Sequence, residues 1–80
     1  MMPNRQIKFI WDFYGVDAVE TAKHHVKHLN TFFTLNAIEF AAMAVENMSD
    51  MHCMAYVISA EDNVKVIRDT LRPHRATIES

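Results

Sequence analysis

The chain switches from a period of two to a period near 3.6 across its single glycine, Gly15. Before it, residues 7–13 alternate. Ile7, Phe9, Trp11 and Phe13 fall on one side, with Lys8, Ile10 and Asp12 on the other. Aromatic and β-branched residues in that pattern predict a strand. After it, Val19, Ala22, Val26, Leu29 and Phe33 recur at spacings of three and four, which predicts an amphipathic helix over about residues 18–35. Asp17 followed by Glu20 supplies a reciprocal capping pair for its first turn.

The rest of the chain extends this pattern. Residues 37–45 read as an alanine-rich second strand, residues 46–50 as a polar hairpin loop, and residues 52–58 as a third strand. Ser59, with Asp62 three residues on, reads as the cap of a second helix whose buried line is Val64, Ile67 and Leu71. Pro73 stops that helix near Arg72. The tail 76–79 is a short edge strand or a frayed end. The expected fold class is therefore α+β, in the order β-α-β-β-α with an optional terminal β. A short hairpin makes strands two and three antiparallel, and both helices can cover one sheet face. This order resembles the ferredoxin-like sandwich. The resemblance is architectural, and the fold hosts many unrelated functions.

At 80 residues the chain is one domain, 1–80, near the lower size limit for an unaided core. Eight basic and ten acidic side chains leave a net charge of −2, with no basic field to hold a nucleic-acid backbone. Cys53 is the only cysteine, which excludes an intramolecular disulfide and a CxxC motif and fits a reducing setting. Residues 1–6 lack the apolar run of a signal peptide, and no stretch reaches the length of a membrane span. A cytoplasmic location is the expectation, with neither nucleic acid nor membrane as partner.

Two helices on one face leave the other face open. In the expected register that face carries Lys8, Ile10, Asp12 and Tyr14, then Met43 and Val45, then His52, Met54, Tyr56 and Ile58. So apolar a surface calls for a cover, and a second copy of the chain is the expected one.

Four groups of residues can carry chemistry. Asp12, Tyr14, His52 and Tyr56 share the open face and form the expected ligand-binding set. There His52 acts as acid or base and Asp12 orients it. His24 and His28 lie four apart on the exposed helix face, a spacing that chelates zinc, nickel or copper, with Glu20 one turn earlier. Lys23 and Lys27 oppose a cation there, and a histidine-rich solvated face is the plainer interpretation. His25 borders the apolar stripe, as a packing histidine bonded to the sheet or as a general base. Met48, Met51 and Met54 with His52 and Cys53 offer soft ligands for Cu(I). Cys53 and Met54 point to opposite faces, however, and packing explains the methionines better. His74 has no assigned role.

The expected function is that of a homodimeric ligand- or partner-binding domain that uses the open sheet face. One alternative is a small cofactor-independent enzyme, similar in architecture to the dimeric α+β barrels, with His52, Asp12 or His25 as catalytic group. The other is a divalent-metal-binding protein acting through His24 and His28.

Overall fold

In a computed structural model of the chain, which describes residues 5–79, the alternating run becomes strand β1 (Gln6–Tyr14) and the amphipathic run becomes helix α1 (Ala18–Leu35). Gly15 takes a φ of 107°, a value strained for any L side chain, so the chain can leave β1 and enter α1 within three residues. Its N–H donates to the Met51 carbonyl at 2.8 Å. The expected Asp17–Glu20 capping pair does not form. Asp17 is the N-cap residue, but its backbone sits at φ −98°, ψ 13° instead of the extended conformation from which a cap side chain reaches back, and it makes no side-chain cap bond. Ala18, Ala22, Leu29 and Phe33 are the buried residues of α1, flanked by Val19, Val26 and Phe32. The stripe is thus rotated slightly from the expected line.

The helix closes by a paired turn. Ile38 N–H donates to the Phe33 carbonyl at 2.9 Å and Ala37 N–H to the Thr34 carbonyl at 3.2 Å, the Schellman pattern. It places Ala37 at φ 53°, where glycine is the usual residue. Because this turn consumes the start of the expected second strand, β2 begins later, at Ala42–Ser49. The expected loop over 46–50 shrinks to a turn at Asp50 and Met51, and Glu46 to Ser49 join the strand. Their polarity misleads because β2 is an edge strand whose far half is exposed.

Strand β3 (His52–Ala60) runs two residues past its expected end. Ser59 therefore lies in the strand and is not a helix cap. Its hydroxyl is fully buried, donates to the Glu39 carbonyl at 2.7 Å and accepts from Asn63 Nδ2 at 2.9 Å. A 3-10 turn (Glu61–Asn63) leads into helix α2 (Val64–Leu71). The helix stops at Arg72, which adopts the left-handed conformation just before Pro73. The tail forms strand β4 (Arg75–Ile78), one residue earlier than the pattern indicates.

The four strands form one antiparallel sheet in the order β2-β3-β1-β4. Strands β1 and β2 are parallel with β3 between them, and β3 and β4 are parallel with β1 between them. Each helix thus joins the two strands of a split β-α-β unit. Both helices pack on one face. Phe9, Trp11, Cys53, Ala55 and Val57 from the sheet share a single buried cluster with Leu29 and Phe33 of α1 and Ile67 of α2. Trp11 Nε1 donates to the Leu71 carbonyl at 2.9 Å and so satisfies one of the free carbonyls at the end of α2. The fold is α+β, and no helix among the described residues is long and apolar enough to cross a membrane. Residues 1–4, which form most of the stretch read for a signal peptide, lie outside the described residues.

The register corrects one face assignment. Met43 pairs with Val57 and Val45 with Ala55, so both pack against the core beneath the helices. Ala42, Ala44 and Glu46 occupy the open side instead.

Candidate functional site

The open face gathers its polar groups around one carboxylate. Strand alternation turns Asp12 and Tyr14 of β1, His52 and Met54 of β3, and Arg75 of β4 to the same side. Across the strands Tyr14 pairs with His52, Asp12 with Met54, and Ile10 with Arg75. Asp12 therefore has His52 diagonal to it on one side and Arg75 diagonal on the other.

Both neighbours bind the carboxylate. His52 Nε2 lies 2.8 Å from Asp12 Oδ1. Arg75 donates through Nε to Oδ2 at 2.9 Å and through Nη2 to Oδ1 at 2.9 Å, a bidentate pair that matches the planar guanidinium to the planar carboxylate. Arg75 Nη2 also lies 3.0 Å from Met54 Sδ. The Asp12 side chain is only 10% exposed, against 24% for His52 and 48% for Arg75. The Arg75 hydrogen bonds hold the Asp12 carboxyl down at about 2, with His52 helping and burial opposing. Asp12 is thus an anion under ordinary conditions. A neutral His52 ring making this bond carries its proton on Nε2, which leaves the lone pair on Nδ1.

Tyr14 stacks on the His52 ring at 4.5 Å and 16°, yet it is 71% exposed. It is a flat aromatic surface, with one side on the cluster and the other available. Tyr56 belongs to a second group. Lys8 Nζ sits 4.4 Å above its ring and 3.9 Å from Glu46 Oε1. Of the four residues expected to share a site, Asp12, Tyr14 and His52 come together, while Tyr56 engages Lys8.

These long polar side chains also correct the expected apolar surface. Ile10 is 3% exposed and Met54 4%, although no helix among the described residues covers them. The face has an apolar floor beneath a lid of charge.

The helix histidines are arranged differently. His24, His25 and His28 line a shallow depression of about 220 Å³ with Phe13 and Thr21. No group of three or more His, Cys, Asp or Glu side chains among the described residues is placed to hold a metal ion. His25 packs its ring 4.8 Å from Trp11 and 5.5 Å from Phe13, but the expected bond to the sheet is missing, since its buried Nε2 has no partner. Burial, then the charges of His28 and His74, lower its pKa from 6.5. Cys53 is buried in the core on the face opposite His52. Met48 and Met51 are exposed at the hairpin, and Met54 lies under Arg75.

A larger cavity of about 650 Å³ lies elsewhere, between the 36–41 connection and the 3-10 turn that precedes α2, where Asn36, Glu39, Phe40 and Asn63 are among its walls. Neither cavity is lined by Asp12 or His52.

Arg75 and His74 are the site residues that sequence reasoning missed. His74 Nδ1 accepts the Asp12 backbone N–H at 2.8 Å. The available signal was the alternation Arg75, Thr77 against Ala76, Ile78, which becomes meaningful once the tail is a strand beside β1. Comparison with protein families, curated proteins and solved structures finds no match to this chain.

Proposed function

We propose that this chain is a small binding domain that works as a homodimer through the open face of its sheet, with Asp12, His52, Arg75 and Tyr14 as its recognition centre. The observation that carries this is Asp12 itself. A carboxylate only 10% exposed, on a face that no helix among the described residues covers, holds an arginine and a histidine at once. Ordered charge of that kind on an open face offers a partner fixed donors and acceptors, which suits recognition.

A second copy suits this face. Lys8 and Arg75 lie on it beside Asp12 and Glu46, so the face carries both signs, the mixture a self-complementary two-fold interface needs. Between them lie Ala42, Ala44, Tyr56 and Ile58, short or flat enough for close approach. The second copy also supplies the wall that a small-molecule site at His52 lacks in one chain. Sedimentation at micromolar concentration tests the proposal. A dimer is expected for the wild type and a folded monomer for Ala44→Glu. A stable wild-type monomer overturns it.

A second reading, an enzyme with His52 as general base, is favoured by the 2.8 Å contact to Asp12. It ranks lower because Arg75 takes both carboxylate oxygens and so weakens the support Asp12 gives an imidazolium.

A further inference from the structure

The end of β1 is held between two histidines from different elements. The Phe13 ring lies 5.5 Å from His25 of α1 and 6.4 Å from His74 of the α2–β4 connection. His74 makes two bonds to β1. Its backbone N–H donates to the Ile10 carbonyl at 2.9 Å, and its Nδ1 accepts the Asp12 N–H at 2.8 Å. The second bond requires a lone pair on Nδ1, so it exists only while that nitrogen is unprotonated. Proton uptake at Nδ1 turns the acceptor into a donor that faces another donor.

Water reaches the exposed His74 ring and can solvate an added charge, but the protein groups around it give that charge little compensation. His24 and His28 share the depression with His25 on α1. Arg72 and Arg75 flank His74 in sequence, with Pro73 between it and Arg72. From β1, Asp12 is the one carboxylate. Its carboxylate is already bound to Arg75 and, on β3, to His52. His25 adds a buried Nε2 without a partner, a position that resists a proton. The strand that His74 introduces is the least secured in the sheet. Strand β4 has four residues, all exposed, and pairs with β1 alone.

We propose that His74 is a proton-released latch: acidification breaks its Nδ1 bond to Asp12 and loosens β4, which carries Arg75, so that mild acid opens the recognition centre. The functional consequence rests on the binding role proposed above; the latch itself does not.

Backbone hydrogen exchange of the 80-residue chain, corrected for the intrinsic pH dependence of exchange, separates the two. Between about pH 7.5 and about pH 5.5, where histidine takes up its proton, protection of the Asp12 amide falls by roughly tenfold while amides between β2 and β3 keep theirs. His74→Asn, whose side-chain oxygen accepts without titrating, keeps its Asp12 protection at both pH values. Imidazole nitrogen shifts of the wild type, which need no variant, show His74 unprotonated at Nδ1 at the higher pH and gaining that proton as Asp12 protection falls. PH-independent Asp12 protection, an unchanged pH response in His74→Asn, or a proton on Nδ1 at the higher pH overturns the latch. Sedimentation of the same samples at about pH 7.5 reports the dimer separately, so failure of either proposal is recognisable without the other.

Discussion

The two faces of β1 solve the same problem by different means. Toward the helices, Phe9 and Trp11 are buried by apolar packing against α1, α2 and β3. Toward the open side, Ile10 is equally buried, but beneath a network of charged side chains anchored on Asp12. Apolar burial is non-directional and tolerates small shifts. The Asp12 network depends on three strands being in one register and on hydrogen-bond geometry. The first face should therefore dominate stability, and the second should dominate specificity and pH response.

Truncation at the helix-covered face should have the largest effect. Phe33 is 0% exposed, and Phe33→Ala should cost about 3–5 kcal/mol, read from urea denaturation midpoints. A loss below about 1 kcal/mol would break the contrast between the faces. Asp12→Ala should cost less, about 1–3 kcal/mol, because it frees Arg75 and His52 to solvent while removing their shared acceptor. The same variant should abolish self-association in sedimentation, whereas variants at the helix face that remain folded should not.

The pH dependence sharpens the contrast further. The Asp12 carboxyl is lowered from 3.8 to about 2 in the folded chain. Its stabilisation is fully present above the unfolded value and is lost as pH falls through about 2. His25 acts in the same direction at higher pH. Its pKa is lowered from 6.5, so the neutral ring is favoured by folding and stability declines as pH drops below that ordinary value. Denaturation midpoints against pH should show two separate losses. Asp12→Asn should remove the lower one and His25→Phe should reduce the upper one, leaving the part that belongs to the His74 latch. The smallest effect is expected away from both faces. Ala37→Gly relieves a left-handed backbone at φ 53° and should stabilise by about 1 kcal/mol, again by denaturation midpoint.

The sequence made the helix-covered face legible because burial writes a period. Ile7, Phe9, Trp11 and Phe13 against Lys8, Ile10 and Asp12 is enough to place β1, and the stripe to Phe33 places α1 to the residue. Boundaries failed where hydrogen bonding, and not burial, decides them. The Schellman turn at Ala37 delayed β2, and Ser59 serves the 36–41 connection instead of capping α2. Asp12 and His52 could be paired from alternation in β1 and β3 alone. Arg75 and His74 could not, because a four-residue tail carries too little pattern to reveal that it lies beside β1. Met43 and Val45 went to the wrong face for a related reason: alanines on either side leave β2 without a polar phase to fix its register.

The most direct test of the account asks what lies against the open face in solution. In a mixed sample of isotope-labelled and unlabelled chains, isotope-filtered NMR detects contacts between copies only. The account predicts intermolecular contacts from Ala44, Tyr56 and Ile58 and none from α1 or α2. Contacts confined to the helices, or no intermolecular contacts at millimolar concentration, would contradict it.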